Sequence, residues 1–278
     1  MSAAPKGNRL AEMTAQLRAT GQRGLSPYIT AGDGGLDRTL QLLHALERAG
    51  ANCCELGVPF SDPIADGPVL QAAADRALEA GTHVNGIFST VRRFRAEGGK
   101  LPIALMSYCN PLGHRGWPEA CLEAAEAGVD ALILPDLPVE EGAPIQAAAQ
   151  AAGLCTIFFA APTSSDERIR RAVEASQGFL YVVGRTGVTG AGTTFDDSAQ
   201  GFLAHVAGLA GELPTAVGFG ISSAADVRAS TQHADIAIVG TALVRAIHAA
   251  GDDDAAAVAA AESFVRELVT GLGSPAAR

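Results

Sequence analysis

Along the chain, short continuous runs of apolar residues alternate with longer stretches in which apolar positions recur every three or four residues. Eight short runs stand out: Leu25–Ile29, Cys53–Leu56, Pro102–Ser107, Ala131–Leu134, Leu154–Ala160, Phe179–Val183, Thr215–Val217 and Ile236–Val239. Their apolar character does not switch on and off with period two, which is the mark of parallel strands buried on both faces. Between them, Leu36, Leu40, Leu43 and Leu46 draw one face of a helix, Ser164 with Glu167 forms a capping box opening a helix through Ile169, and Ala255–Val269 reads as a last outer helix. A short helix is expected before the first strand and a frayed tail after the last. Eight strand–helix alternations with no Pro/Ser/Gly linker predict an α/β fold, a (β/α)8 barrel of one domain over residues 1–278. The same order also suits an open doubly wound sheet, and both architectures put the chemistry at the carboxyl ends of the strands.

Composition narrows the function. The chain is 48% hydrophobic, as ordinary soluble domains are, and no apolar run approaches the roughly 20 residues of a membrane helix. Met1 to Arg9 lack the apolar stretch of a secretory signal, so a cytoplasmic protein is expected. A net charge of −10 opposes binding to a nucleic-acid backbone and requires that an anionic substrate be held by a local site. The five cysteines form no C-x-x-C pair and the six histidines no ligand spacing, so neither a disulfide framework nor a metal site is expected.

The predicted strand ends carry the candidates. Glu55 closes the run Cys53-Cys54-Glu55-Leu56, where partial burial would raise its pKa and let it both give and take a proton; the plainer alternative is a carboxylate capping a loop or pairing with a cation. Asp62 and Asp66 follow in a segment stiffened by three prolines, Pro59, Pro63 and Pro68, and are turn residues first, although a rigid loop also suits a carboxylate held over a barrel mouth. Gly184 to Thr194, rich in Gly and Thr, suits a mobile lid. Gly218-Phe219-Gly220 and Gly240-Thr241 end the seventh and eighth runs, where such barrels bind phosphate through backbone N–H groups. The three tyrosines, Tyr28, Tyr108 and Tyr181, lie in or beside predicted strands and are by default core residues with a satisfied hydroxyl.

Several of these strings, in order, resemble the motifs of tryptophan synthase alpha subunits: Pro27-Tyr28-Ile29-Thr30-Ala31-Gly32-Asp33, Glu55-Leu56-Gly57-Val58-Pro59-Phe60-Ser61-Asp62-Pro63 with Ala65-Asp66-Gly67-Pro68, Pro135-Asp136-Leu137-Pro138, Ala161-Pro162-Thr163, Arg185-Thr186-Gly187-Val188-Thr189-Gly190 and Gly218-Phe219-Gly220-Ile221-Ser222. The resemblance implies a cofactor-free lyase that splits indole-3-glycerol phosphate into indole and glyceraldehyde 3-phosphate. In it Glu55 is the general acid–base and Asp66 faces the indole N–H. Tyr181 supports the glycerol region, Tyr28, Met106 and Phe219 line the indole pocket, and Gly190, Gly220, Gly240 and Thr241 bind phosphate, while Thr189 links the lid to Asp66. It also implies a beta subunit carrying pyridoxal phosphate in an α2β2 assembly, contacted through Asp62, Asn110 and Pro111. Gly184 and Thr241 stand where serine is usual, and neither change removes a catalytic group. The residues alone leave open a stand-alone lyase that releases free indole, a non-catalytic activator of a beta subunit, or another phosphate-binding barrel such as an isomerase. Intact Glu55 and Asp66 weigh against the activator.

Overall fold

The computed structural model describes residues 5–184, 197–218 and 220–273. Asn8 opens α1 (Arg9–Thr20) by accepting the Ala11 N–H, and Gly21, in the left-handed region at φ 67°, ends it. The chain then runs through β1 (Gly24–Thr30), α2 (Leu36–Ala49), β2 (Cys54–Gly57), α3 (Pro68–Glu79), α4 (Val84–Ala96), β3 (Ile103–Met106), α5 (Cys109–Gly113), α6 (Trp117–Ala127) and β4 (Ala131–Ile133). The second half comprises α7 (Ala143–Ala152), β5 (Cys155–Ile157), β6 (Phe159–Ala160), α8 (Asp166–Ala175), β7 (Leu180–Val183), α9 (Asp197–Ala210), β8 (Thr215–Gly218), α10 (Ala224–Ser230), β9 (Ile236–Val239), α11 (Thr241–Ala249) and α12 (Asp254–Val269). Among the described residues, no helix is long and apolar enough to cross a membrane.

All the strand pairings are parallel, in the order β5-β4-β3-β2-β1-β9-β8-β7-β6. Except for β5 and β6, which end the order, each strand pairs with its neighbours in sequence and the first pairs with the last, so the sheet is a nearly closed barrel and the doubly wound alternative is excluded. The predicted run Leu154–Ala160 is two strands rather than one. Phe158 interrupts it: its N–H goes to Ser176 Oγ at 3.0 Å and its ring joins the outer core, while its carbonyl still accepts the Tyr181 N–H. The helix cap predicted at Ser164 is also displaced by one residue. Ser165 caps α8 by accepting the Arg168 N–H, and Ser164 Oγ takes the Ala161 N–H instead. The leucines of α2 lie as expected, with Leu40, Leu43 and Leu46 buried and Leu36 packed at the edge of the core.

Side chains from alternate positions fill the barrel. Cys53, Ala104, Ala131, Ile133, Cys155, Ile157, Phe179, Ala216, Ile236 and Ile238 meet inside, together with Leu10 and Leu17 of α1. That helix stops the amino-terminal end of the barrel: Leu17 lies where a Cβ on Gly24 would be, 2.8 Å from Cδ1, and Asn8 Nδ2 donates to the carbonyls of Asp130 and Gly153. The strand starts at this end share a polar device. Asn52, Asp130 and Asp235, each just before a strand, accept the N–H of Leu25, Ile103 and Thr215 on the preceding strand. Water is thereby shut out from below without leaving the first amides of these strands orphaned.

Asp130 does most at this end, since besides the Ile103 N–H it binds Arg9 at 2.7 Å and Arg95 at 3.0 Å while itself 1% exposed. Asp130→Ala would leave the buried Ile103 amide without its acceptor and the Arg95 guanidinium, still bonded to the carbonyls of Gly99, Leu101 and Gly128, without its carboxylate, and is expected to cost about 3–5 kcal/mol. Urea unfolding of the two proteins checks it, with a loss under about 1 kcal/mol, the scale of a surface pair, contradicting the assignment.

Candidate active site

The loop between β2 and α3 is held from three sides. Asp33, after β1, binds Arg76 of α3 through both oxygens at 2.8 and 2.7 Å, so the loops after β1 and β2 lean on the same helix. Gln71 Nε2 donates to the Asp66 carbonyl at 2.8 Å, and the Asp66 N–H closes a turn onto Pro63. From the segment after β3, the Tyr108 hydroxyl donates to Asp66 Oδ2 at 3.0 Å and accepts the Ala65 N–H at the same distance. Burial pushes the Asp66 carboxyl up and the Tyr108 hydrogen bond pulls it back, leaving it above the ordinary value.

Glu55 points into the barrel from β2, in register with Tyr28 on β1 and Ala104 on β3. It is 1% exposed, and its Oε1 has no hydrogen-bond partner. Burial alone lifts its pKa to about 8. The cause is the lost hydration of the anion, so near neutral pH this group is a carboxylic acid with a proton to give.

Two tyrosines enclose the space beside it by the same geometry. Tyr28 lies over Gly57 and Tyr181 over Gly218, each glycine being two residues beyond the tyrosine's register partner on the next strand. A Cβ on either glycine would come within 2.2 Å of the Tyr28 hydroxyl or 2.4 Å of the Tyr181 hydroxyl, so glycine is what lets both rings lie across the barrel mouth. The Tyr28 hydroxyl accepts from Thr30 Oγ1 at 3.3 Å, and Tyr181 stacks on Phe159 with ring centroids 4.9 Å apart. Burial, and after it the carboxylates of Asp66 and Glu55, raise the Tyr28 hydroxyl above its ordinary value; burial, Glu55 and then Asp66 do the same to Tyr181. The four groups therefore share one weakly hydrated space, and Met106 packs against the barrel interior and against Tyr28 and Leu70 at its side.

Beside Tyr28, Gly240 precedes α11, which begins at Thr241 with no side chain capping its first turn. The N-terminus of α10 is already engaged: Ser223 accepts the Asp226 N–H, and Asp226 accepts the Ser222 N–H and hydroxyl at 3.0 Å. Of the predicted phosphate residues, Gly240 and Thr241 thus sit at a helix start suited to an anion, and Gly220 is an exposed turn at φ 54° beside an occupied one. Thr189, Gly190 and Phe219 lie outside the described residues.

Asn110 and Pro111 line a groove of about 380 Å³ outside the mouth, with Pro59, Phe60, Ser61 and His83 among the other walls. Asp62 is exposed next to it, its carboxylate taken up by Ser61 Oγ at 2.6 Å. A sequence model of the family described as "Tryptophan synthase alpha chain" matches residues 14–272. The chain belongs to the tryptophan synthase alpha chain family. It is 48% identical over 241 residues to the tryptophan synthase alpha chain of Alkalilimnicola ehrlichii, covering 86% of this chain and 87% of that one. It is 41% identical to that of Burkholderia pseudomallei, covering 97% and 100%. Among solved structures it resembles a chain of Mycobacterium tuberculosis tryptophan synthase (TM-score 0.84, 31% identity, 97% and 99% covered). It also resembles a chain from the mutually activating tryptophan synthase α2β2 complex of Pyrococcus furiosus (TM-score 0.82, 36% identity, 89% and 98% covered).

Glu55, Tyr28 and Tyr181 in predicted strands, Asp66 in the loop after the second, and Met106, which the family resemblance adds, converge in the structure. For Tyr108 the sequence supports only the default of a core residue with a satisfied hydroxyl. Only its place directly after a strand hinted at a part in the site, because its bond to Asp66 spans 42 residues.

The raised Glu55 pKa has a thermodynamic consequence. The folded chain keeps a proton that the unfolded chain loses above its ordinary value near 4.5, so this group's contribution to stability declines as pH rises from about 4.5 to about 8 and is level above that. Glu55→Gln cannot ionise, so its unfolding free energy should gain on the parent's by about 4 kcal/mol between pH 5 and pH 9. Urea unfolding at pH 5, 7 and 9 measures the difference; a constant offset would show that Glu55 is not held neutral.

Proposed function

We propose that this chain cleaves indole-3-glycerol phosphate to indole and glyceraldehyde 3-phosphate, as the lyase half of an α2β2 tryptophan synthase. The observation that carries the reading is the buried Glu55 carboxyl, whose Oε1 has no hydrogen-bond partner, near a second, hydrogen-bonded carboxylate at the mouth of the barrel. Protonated Glu55 gives its proton to C3 of the indole ring. The positive charge that this leaves on the ring nitrogen is balanced by Asp66, in a space where charge is poorly screened. Glu55, now a carboxylate, takes the proton of the hydroxyl on the carbon attached to the ring. As that carbon becomes an aldehyde, its bond to C3 breaks and the electron pair returns to the ring. One proton given and one taken leave Glu55 as it began, and ring protonation supplies the electron sink, so these steps call on no cofactor.

Tyr28 and Met106, with Phe219, bound the indole pocket in this reading, and Tyr181 supports the glycerol chain. Gly240 and Thr241 hold the phosphate together with Gly190 and Gly220, and Thr189 ties the loop after β7 to Asp66. Indole passes to a beta subunit, where pyridoxal phosphate resides. The groove walled by Asn110 and Pro111, with Asp62 beside it, is the contact surface we assign to that subunit, and the α2β2 state of the Pyrococcus furiosus relative supports the pairing. The expected compartment is the cytoplasm.

Indole release from indole-3-glycerol phosphate, measured with the chain alone and with a beta subunit, tests the reading. The partner is expected to raise kcat. Glu55→Gln should abolish turnover and Asp66→Asn lower it by about 10²–10³-fold, the scale of removing one electrostatic stabiliser. No release by the parent with its partner, or a Glu55→Gln variant as active as the parent, would refute it. The acid must be protonated to act, so kcat/KM should fall as pH rises through about 8.

A further inference from the structure

The segment after β3 contributes a group to the site that the mechanism above does not use. Tyr108 is 4% exposed, and its hydroxyl makes two bonds of opposite sense. The Ala65 N–H can only donate, so it takes a lone pair of the Tyr108 oxygen and leaves the hydroxyl hydrogen to point at Asp66. A hydrogen held in that direction favours the carboxylate form of Asp66 and fixes which of its oxygens accepts it. Tyr108 is itself clamped. Its ring packs on Phe60 with centroids 5.4 Å apart, and the next residue, Cys109, donates its N–H to both oxygens of Asp136 at 3.0 Å. Asp136, from the segment after β4, thereby anchors the start of α5 and the backbone that carries Tyr108.

We propose that Tyr108 is a positioning residue that orients Asp66 and keeps it ionised for the reaction, and that Asp136 holds Tyr108 in place to do so. The role in the reaction rests on the function proposed above. The orientation and proton affinity of Asp66 do not, and can be measured separately. Among the described residues, the titratable groups that interact with Asp66 are Tyr108 after β3, Tyr28 from β1 and Tyr181 from β7, with Glu55 of β2 acting on the same Tyr28 and Tyr181 and Asp136 behind Tyr108. Burial drives Asp66 toward its neutral form and the Tyr108 bond opposes it. A neutral Asp66 could not balance charge on the indole nitrogen, so without Tyr108 the site should lose its competence from the acid side first.

The test uses Tyr108→Phe, which removes one oxygen and keeps the ring on Phe60. The ¹³C resonance of the Asp66 carboxyl, assigned by its disappearance in Asp66→Asn, is titrated in parent and variant full-length chains. The midpoint is expected to rise by about one pH unit, the scale of a hydrogen bond to a charged group. With a beta subunit present, the acid limb of the kcat profile for indole release should move up by the same amount, costing about tenfold on that side, with KM and the alkaline limb unchanged. Asp136→Ala, which retains the hydroxyl, should shift the midpoint the same way by less. An unchanged Asp66 midpoint in a folded Tyr108→Phe variant overturns the proposal, whatever happens to its melting temperature. A shifted midpoint in a chain that releases no indole upholds the hold on Asp66 and refutes the reaction instead.

Discussion

A carboxyl group stands inside the barrel with one oxygen bonded to nothing, and it stays neutral because ionising it there would forfeit the hydration of its anion. This condition holds only while water is kept from it on every side but one. The arrangement of the rest of the chain can be understood as what keeps it so. Leu10 and Leu17 of α1 stop the barrel from below, and Ala104, Ala131 and Ile133 fill the wall beyond β2. The polar groups that the plug and strand starts bring with them are satisfied by Asn52, Asp130 and Asp235 rather than by water, so the seal costs little in unpaired amides.

At the open end the problem is reversed, since a substrate must enter and charge must be stabilised as it develops. Two glycines solve the spatial part. Gly57 and Gly218 let Tyr28 and Tyr181 lie across the mouth, each bringing an aromatic face and a hydroxyl to the space beside Glu55. The second carboxylate, Asp66, is placed where burial is incomplete and where a tyrosine hydroxyl donates to it. Two carboxyl groups of nearly the same intrinsic acidity are thus driven toward different roles, one as an acid that holds its proton and one as an anion, by environment alone.

The barrel could be read from the sequence because its strands are buried on both faces and therefore appear as unbroken apolar runs, and Glu55 drew attention as the one charge ending such a run. What escaped was whatever depends on partners distant in sequence. The break at Phe158 comes from Ser176, 18 residues on, and no local pattern announces it. The α8 cap moved from Ser164 to Ser165 because adjacent serines both satisfy the pattern, and only the loop geometry assigns Ser164 to Ala161. Asp66 sits in a proline-stiffened turn, as its neighbours suggested, but its hold by Tyr108 and the anchoring of Cys109 by Asp136 cross between strand ends and become visible only once the barrel is closed. The rule that loops after the last two strands bind phosphate points to Gly220 and Gly240 as candidates; the structure adds that α10 has its own internal caps and α11 has no side-chain cap.

The central claim is that Glu55 carries a proton at neutral pH because the barrel denies its anion both water and a partner. The most direct measurement is an infrared titration of the folded chain, in which the protonated carboxyl absorbs apart from the carboxylate and Glu55→Gln identifies the band. The account predicts a carboxylic acid band from Glu55 that persists at pH 7 and is lost with a midpoint of about 8. Loss of that band with a midpoint near the ordinary value of 4.5 would contradict it.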